Sequence, residues 1–131
     1  MNINVLVGTT AHFSHVVVEE NLATNWENDV PVLATPVLAW LAELASIKVL
    51  GETLDDELMT VGVSYELEHL APTPVGFTVI LSSTLVQVEG NILIFSIIGS
   101  DNIEKIVLGH HKRAIINKNK FIDKVIRKNT P

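Results

Sequence analysis

At 131 residues the chain is the size of one domain and leaves no room for a separate cofactor-binding domain. Apolar residues make up 47% of it, enough for a packed core, and the absence of cysteine excludes disulfides, thiolate metal sites and a cysteine nucleophile. The net charge of −6 is unevenly spread: residues 1–104 hold fourteen acids and only Lys48 as a base, whereas residues 105–131 hold eight Lys/Arg and only Asp123 as an acid. Such a basic end is either a solvated helix or an anion-binding surface.

The opening residues lack a basic start and a small-residue cleavage site, so the expected compartment is the cytoplasm. Asn2 to Val7 and Phe13 to Val18 read as strands. The longest apolar run, Pro31 to Ala42, is about a dozen residues; a bilayer span needs roughly 20, so the run predicts a buried helix and no membrane anchor. Thr35 supplies an N-cap hydroxyl and Pro36 suits the first helical position, while Gly51 can close the helix in a left-handed conformation. Between them Val37, Leu38, Trp40, Leu41, Leu44, Ile47 and Leu50 point nearly all round the axis, which predicts burial on most sides.

The remainder is mostly strand. Val61 to His69 alternates strictly, placing Val61, Val63, Tyr65, Leu67 and His69 on one inward face, until Leu70-Ala-Pro-Thr-Pro74 breaks it. Val75 to Val88 and Ile92 to Gly99 flank a Glu89-Gly90-Asn91 hairpin signal, and Ser100-Asp101-Asn102 turns the chain into Ile103 to Ile116. An amphipathic helix over 118–128 presents Phe121, Ile122, Val125 and Ile126. A strand, a buried helix and four further antiparallel strands predict one α+β domain over 1–131, a hot-dog arrangement in which a sheet curls about the helix. The remaining apolar surface predicts a homodimer, with pairing of dimers into tetramers left open.

Several residues stand out chemically. Glu43 lies within the apolar helix, where a carboxylate is costly unless it is paired or reaches solvent at the helix margin. His69, inward at a strand end, is a general-base candidate or a core histidine tied to a carbonyl. Thr35 caps a helix whose free N–H groups also suit a developing oxyanion. His111 and Arg113 share a strand face, and Arg113 is suited to a phosphate, a carboxylate or an ion pair with one of the many acids. The histidines form no metal spacing, and no nucleophile-elbow, phosphate-loop or dinucleotide motif occurs. No metal and no nucleic-acid partner is therefore expected.

Ala34-Thr35-Pro36, Val61-Gly62-Val63, His69-Leu-Ala-Pro-Thr-Pro-Val-Gly76 and Gly109-His-His-Lys-Arg113, taken in order, resemble the fluoroacetyl-CoA thioesterase family of the hot-dog superfamily from about Leu33 to Val125. The resemblance implies hydrolysis of an acyl-CoA thioester to free acid and CoA, with no cofactor beyond the CoA ester that is the substrate. It further implies that Thr35, Glu43 and His69 are catalytic, with Gly62 holding the thioester carbonyl and Arg113 helping to form the substrate site. Fluoroacetyl-selective members carry phenylalanines ahead of the helix as a lid, whereas Trp26-Glu-Asn-Asp-Val-Pro-Val-Leu33 has none, pointing to a general short or medium acyl group. Two other classes compete: a non-catalytic acyl-CoA-binding module, and a hot-dog dehydratase, whose Asp/His pair this chain lacks.

Overall fold

The computed structural model describes residues 2–130. Five strands form one antiparallel sheet: β1 (Thr10–Val16), β2 (Leu58–His69), β3 (Thr78–Glu89), β4 (Ile92–Ser100) and β5 (Lys105–Asn117), in spatial order β1-β3-β4-β5-β2. Helix α1 (Thr35–Leu50) packs chiefly on β3 and β1, and α2 (Lys118–Lys128) follows β5 directly. This is the α+β arrangement expected from the element order. β3, β4 and β5 are joined as consecutive hairpins. β2, however, crosses to the far edge to pair with β5, and β3 pairs with β1 instead.

Helix α1 seats closely because Ala42, Ala45 and Ser46 face the sheet without bulk, between the fully buried Leu38 and Leu41 and the terminal Leu50. The buried Ser46 hydroxyl hydrogen-bonds the Ala42 carbonyl and the Ser83 hydroxyl, both at 2.8 Å, so it carries no unmet polar cost. Opposite it lie Leu81, Leu85, Leu93, Phe95 and Ile97, each fully buried and each contributing about 1.5–3 kcal/mol of hydrophobic stabilisation.

Four expectations are corrected. Asn2 to Val7 is not a strand: Ile3–Leu6 forms a 3-10 turn, because the Asn2 side chain accepts from the Asn4 N–H and closes it locally. Thr35 is not the N-cap: Ala34 occupies that position, and Thr35 is the first helical residue, its hydroxyl drawn elsewhere. Helix α1 is not covered on most sides either. It lies on one face of one sheet, leaving Trp40 47% and Ile47 43% exposed. Nor does β2 alternate strictly, since its pairing with β5 slips between Gly62 and Ser64, where Val63 is an extra residue. Thr60 and Gly62 face α1 ahead of this bulge and Tyr65, Leu67 and His69 face it beyond, while Val63 is 53% exposed.

Helix α2 matches its expected span, and its Phe121, Ile122, Val125 and Ile126 are exposed. It starts where Asn117 pairs with Leu58, at the end of β2 opposite His69.

Gly109 sits mid-sheet, paired with Leu67 on one side and Ile97 on the other. A Cβ there would strike the Glu66 carbonyl oxygen and come within 2.9 Å of the Leu67 Cα, backbone atoms that no rotamer change can move. Gly109→Ala is expected to destabilise the fold by about 2–3 kcal/mol, at the upper end for overpacking. Urea unfolding of the variant beside the parent checks this.

Candidate active site

Two clusters of polar side chains lie between α1 and the inner face of β2 and β5. The first stands at the start of α1. The Thr35 hydroxyl and His69 Nδ1 are 2.8 Å apart, joining residues 34 positions apart in sequence. His69 is held there because its strand ends in the Leu70–Pro74 turn, which is itself anchored: the Leu33 N–H donates to the Thr73 carbonyl, the Leu70 N–H to the Ile106 carbonyl, and the buried Thr73 hydroxyl to Asp101. Burial pushes the His69 imidazole below the ordinary histidine range, and the Ala71 backbone only partly offsets it, so the ring is neutral at neutral pH. Its Nε2 is buried and has no hydrogen-bond partner among the described residues. Both residues line a cleft of about 370 Å³ whose other wall includes Asn28, Asp29, Val30 and Val32, the segment ahead of α1.

The second cluster is built on Glu43, halfway along α1. Arg113 Nη1 donates to Glu43 Oε1 at 2.7 Å, in an ion pair whose guanidinium side is 4% exposed and whose carboxylate side is 29% exposed. Arg113 reaches no further: its Nε donates to the Thr60 hydroxyl at 2.9 Å, its Nη2 to the Thr60 carbonyl at 3.0 Å, and Nη1 also to His111 Nε2 at 3.1 Å. Burial alone raises the Glu43 carboxyl, but hydrogen bonds from Arg113 and Tyr65 and the charge of Arg113 outweigh it and hold the group below the usual carboxylate range. Glu43 is thus an anion at neutral pH. The Tyr65 hydroxyl is pushed up to about 12, first by burial and then by its hydrogen bond to this carboxylate.

Gly62 closes the cluster. Its Cα faces inward, and a Cβ there would lie 2.9 Å from Glu43 Oε1 and 3.2 Å from the Tyr65 hydroxyl. No side chain fits without displacing the carboxylate, whereas a bare glycine leaves room for a substrate atom against the backbone.

All five residues that the family resemblance implies therefore line the α1–β2–β5 seam, but not as one group. Thr35 meets His69 and not Glu43. Arg113, expected beside the substrate, is buried and spends its donors on Glu43, Thr60 and His111. Glu43 stands at the helix margin, the open alternative, and is paired as well. Eight residues of helix separate Thr35 from Glu43, a rise of about 12 Å. Sequence reasoning missed Thr60 and the role of Tyr65, because the bulge that turns both toward Glu43 leaves only one cue, a glycine within a strand. Among the described residues no cluster of three or more His, Asp or Glu could hold a metal ion. No helix among them is long and apolar enough to cross a membrane.

Comparison with known proteins bears on the same seam. The family model described as fluoroacetyl-CoA-specific thioesterase matches residues 17–119. The fluoroacetyl-CoA thioesterase of Streptantibioticus cattleyicolor is 34% identical over 100 residues, which span 76% of this chain and 71% of that protein. A solved structure of a fluoroacetyl-CoA thioesterase superposes with a TM-score of 0.88 at 29% identity, covering 95% of this chain and 97% of the other. A thioesterase superfamily member from Thermus thermophilus superposes at 0.84 with 25% identity, over 93% and 90% of the two chains. A hot-dog-like protein from Thermanaerovibrio acidaminovorans shares the fold, with a TM-score of 0.88 at 23% identity over 100% and 98%. Matched over most of its length and carrying the same fold, the chain belongs to the fluoroacetyl-CoA-specific thioesterase family.

Proposed function

We propose that this protein hydrolyses short or medium acyl-CoA thioesters to free acid and CoA, using Glu43, His69 and Thr35 in a site completed by a second copy of the chain. The observation that carries the reading is a neutral histidine, tied to a threonine hydroxyl and with an unpartnered buried nitrogen, on the same seam as a carboxylate held ionised by an arginine. In the tautomer whose Nδ1–H donates to the Thr35 hydroxyl, His69 Nε2 offers its lone pair as a base. Glu43, with a lowered pKa, is a weak proton acceptor, which supports attack on the thioester carbonyl over activation of water. Attack by the carboxylate releases CoA as a thiolate and leaves a mixed anhydride on Glu43. His69 then takes a proton from the water that cleaves the anhydride and passes it to the thiolate. Gly62 admits the carbonyl against the backbone. Arg113 serves substrate binding through Glu43, whose orientation it sets.

The second copy is argued from two observations. Among the described residues β2 pairs only with β5, so its outer edge of twelve residues offers unpaired backbone groups. Beside it, Trp40 and Ile47 flank Glu43 on an exposed helix stripe. Antiparallel pairing of two β2 edges covers that stripe, and it carries His69 of one copy toward the Glu43 cluster of the other, bridging the separation along α1.

Four outcomes test the proposal. Glu43→Gln and His69→Ala should each lower turnover by about 100-fold or more with folding intact. The parent kcat/KM should fall as pH drops through the His69 pKa, below 6.5 because burial depresses it, with Glu43 protonating at still lower pH; steady-state rates from pH 4 to 8 read this, and losses under tenfold in both variants would leave an acyl-CoA-binding module. Light scattering at micromolar concentration should give a dimer, and a folded species of 14.4 kDa would refute the shared site. Finally, the segment walling the His69 cleft carries Asn28 and Asp29, with Trp26 51% exposed, and so discriminates by apolar fit alone. Fluoroacetyl-CoA and acetyl-CoA should then differ by less than about 100-fold in kcat/KM, given about 1–3 kcal/mol per methylene-sized contact. A preference of about 10⁴ or more, beyond what such contacts supply, would mean that this segment closes as a selective lid.

A further inference from the structure

His111 has no part in the chemistry above, yet it is wholly buried and fully engaged. Its Nδ1 lies 3.0 Å from the Ser64 carbonyl, an acceptor, so that nitrogen carries the proton. Its Nε2 lies 3.1 Å from Arg113 Nη1, which can only donate, so that nitrogen carries the lone pair. Both neighbours select one neutral tautomer. The Ser64 carbonyl is available because the bulge at Val63 resets the strand just before it. The ring of Tyr65 stacks on the His111 imidazole, with centroids 4.4 Å apart and planes 14° from parallel, and its hydroxyl and Glu43 Oε1 both stand over Gly62, 3.2 and 2.9 Å from where a Cβ would be.

We propose that Tyr65 and His111 are the positioning residues of the Glu43 carboxylate: Tyr65 through a hydroxyl that stands beside the carboxylate over Gly62, His111 as the neutral acceptor that orients the Arg113 guanidinium. Each Nη1 hydrogen of Arg113 then has one partner, Glu43 or His111, and the two Thr60 contacts stop the guanidinium from turning about its long axis. Without the imidazole acceptor, one Nη1 hydrogen is left unpaired in a buried place and the fork can rotate away from Glu43. Without the tyrosine hydroxyl, the carboxylate keeps only Arg113 and swings toward Gly62, where nothing but a hydrogen stands. The groups that face Glu43 are Tyr65 from β2 and His111 and Arg113 from β5. The assignment rests on reading Glu43 as the working carboxylate.

The test compares Tyr65→Phe, His111→Phe and His111→Gln with the parent by NMR titration of the Glu43 side-chain carboxyl, together with kcat and KM. Tyr65→Phe and His111→Phe should each raise the Glu43 pKa by about one unit, the loss of one charge-assisted hydrogen bond. They should lower kcat about tenfold with KM little changed, as expected for a misplaced reacting group. His111→Gln, which returns an acceptor to Arg113, should lie closer to the parent than His111→Phe. A Glu43 titration unchanged in Tyr65→Phe and in His111→Phe overturns the proposal. Tyr65 is 41% exposed, so its variant folds and decides alone should the buried His111→Phe not fold. The titration needs no substrate: a protein that shows the shifts but cleaves no acyl-CoA refutes the functional reading and leaves the positioning role standing.

Discussion

The contact on which the rest of the structure depends is the ion pair between Arg113 and Glu43. A guanidinium with 4% of its side chain exposed would be prohibitively costly if unpaired, because its desolvation is offset only when nearly every donor finds an acceptor. Those acceptors come from three elements: Glu43 from α1, Thr60 from β2 and His111 from β5 itself. Burying one arginine therefore ties the helix to the two strands that form the far side of the sheet, where α1 packs less closely than it does on β1 and β3. The apolar core seats one flank of the helix and this polar knot fixes the other.

The knot requires an irregular strand. In a regular β2, Thr60 and Gly62 could not share a face with Tyr65, Leu67 and His69, since even and odd positions point to opposite sides. The extra residue at Val63 resolves this, at the cost of exposing one valine, and re-aims two halves of a strand at one helix. It also frees the Ser64 carbonyl to set the His111 tautomer. A single inserted residue thus governs both the carboxylate's surroundings and the direction of the histidine at the strand end.

Polar and apolar demands meet on the exposed side of α1. Trp40 and Ile47 are large apolar groups left facing solvent on either side of the carboxylate, next to an unpaired sheet edge. A surface of that kind has two unmet requirements, backbone hydrogen bonds and apolar cover, and the proposed second copy of the same edge would supply both. The proposed chemistry draws on the same pairing, because Thr35, which holds the base His69, stands about 12 Å along α1 from Glu43.

Much of this was legible in the residues. The order of elements, the apolar helix between Thr35 and Gly51, the hairpin at Glu89 to Asn91 and the break at the two prolines all follow from local periodicity and turn chemistry, which depend on neighbours a few positions away. The order and spacing of the family's motifs also pointed to Thr35, Glu43, Gly62, His69 and Arg113, which the fold places along one seam. Their pairing was not. Thr35 meets His69 across 34 residues and Glu43 meets Arg113 across 70, and which acid an arginine finds among fourteen in the first 104 residues depends on strand register. Register in turn hinges on the bulge at Val63, where a sequence that alternates without interruption gives way to close packing around a bare glycine. Tyr65 illustrates the boundary: strand alternation alone puts it on the inner face, and only the fold brings that face to bear on Glu43.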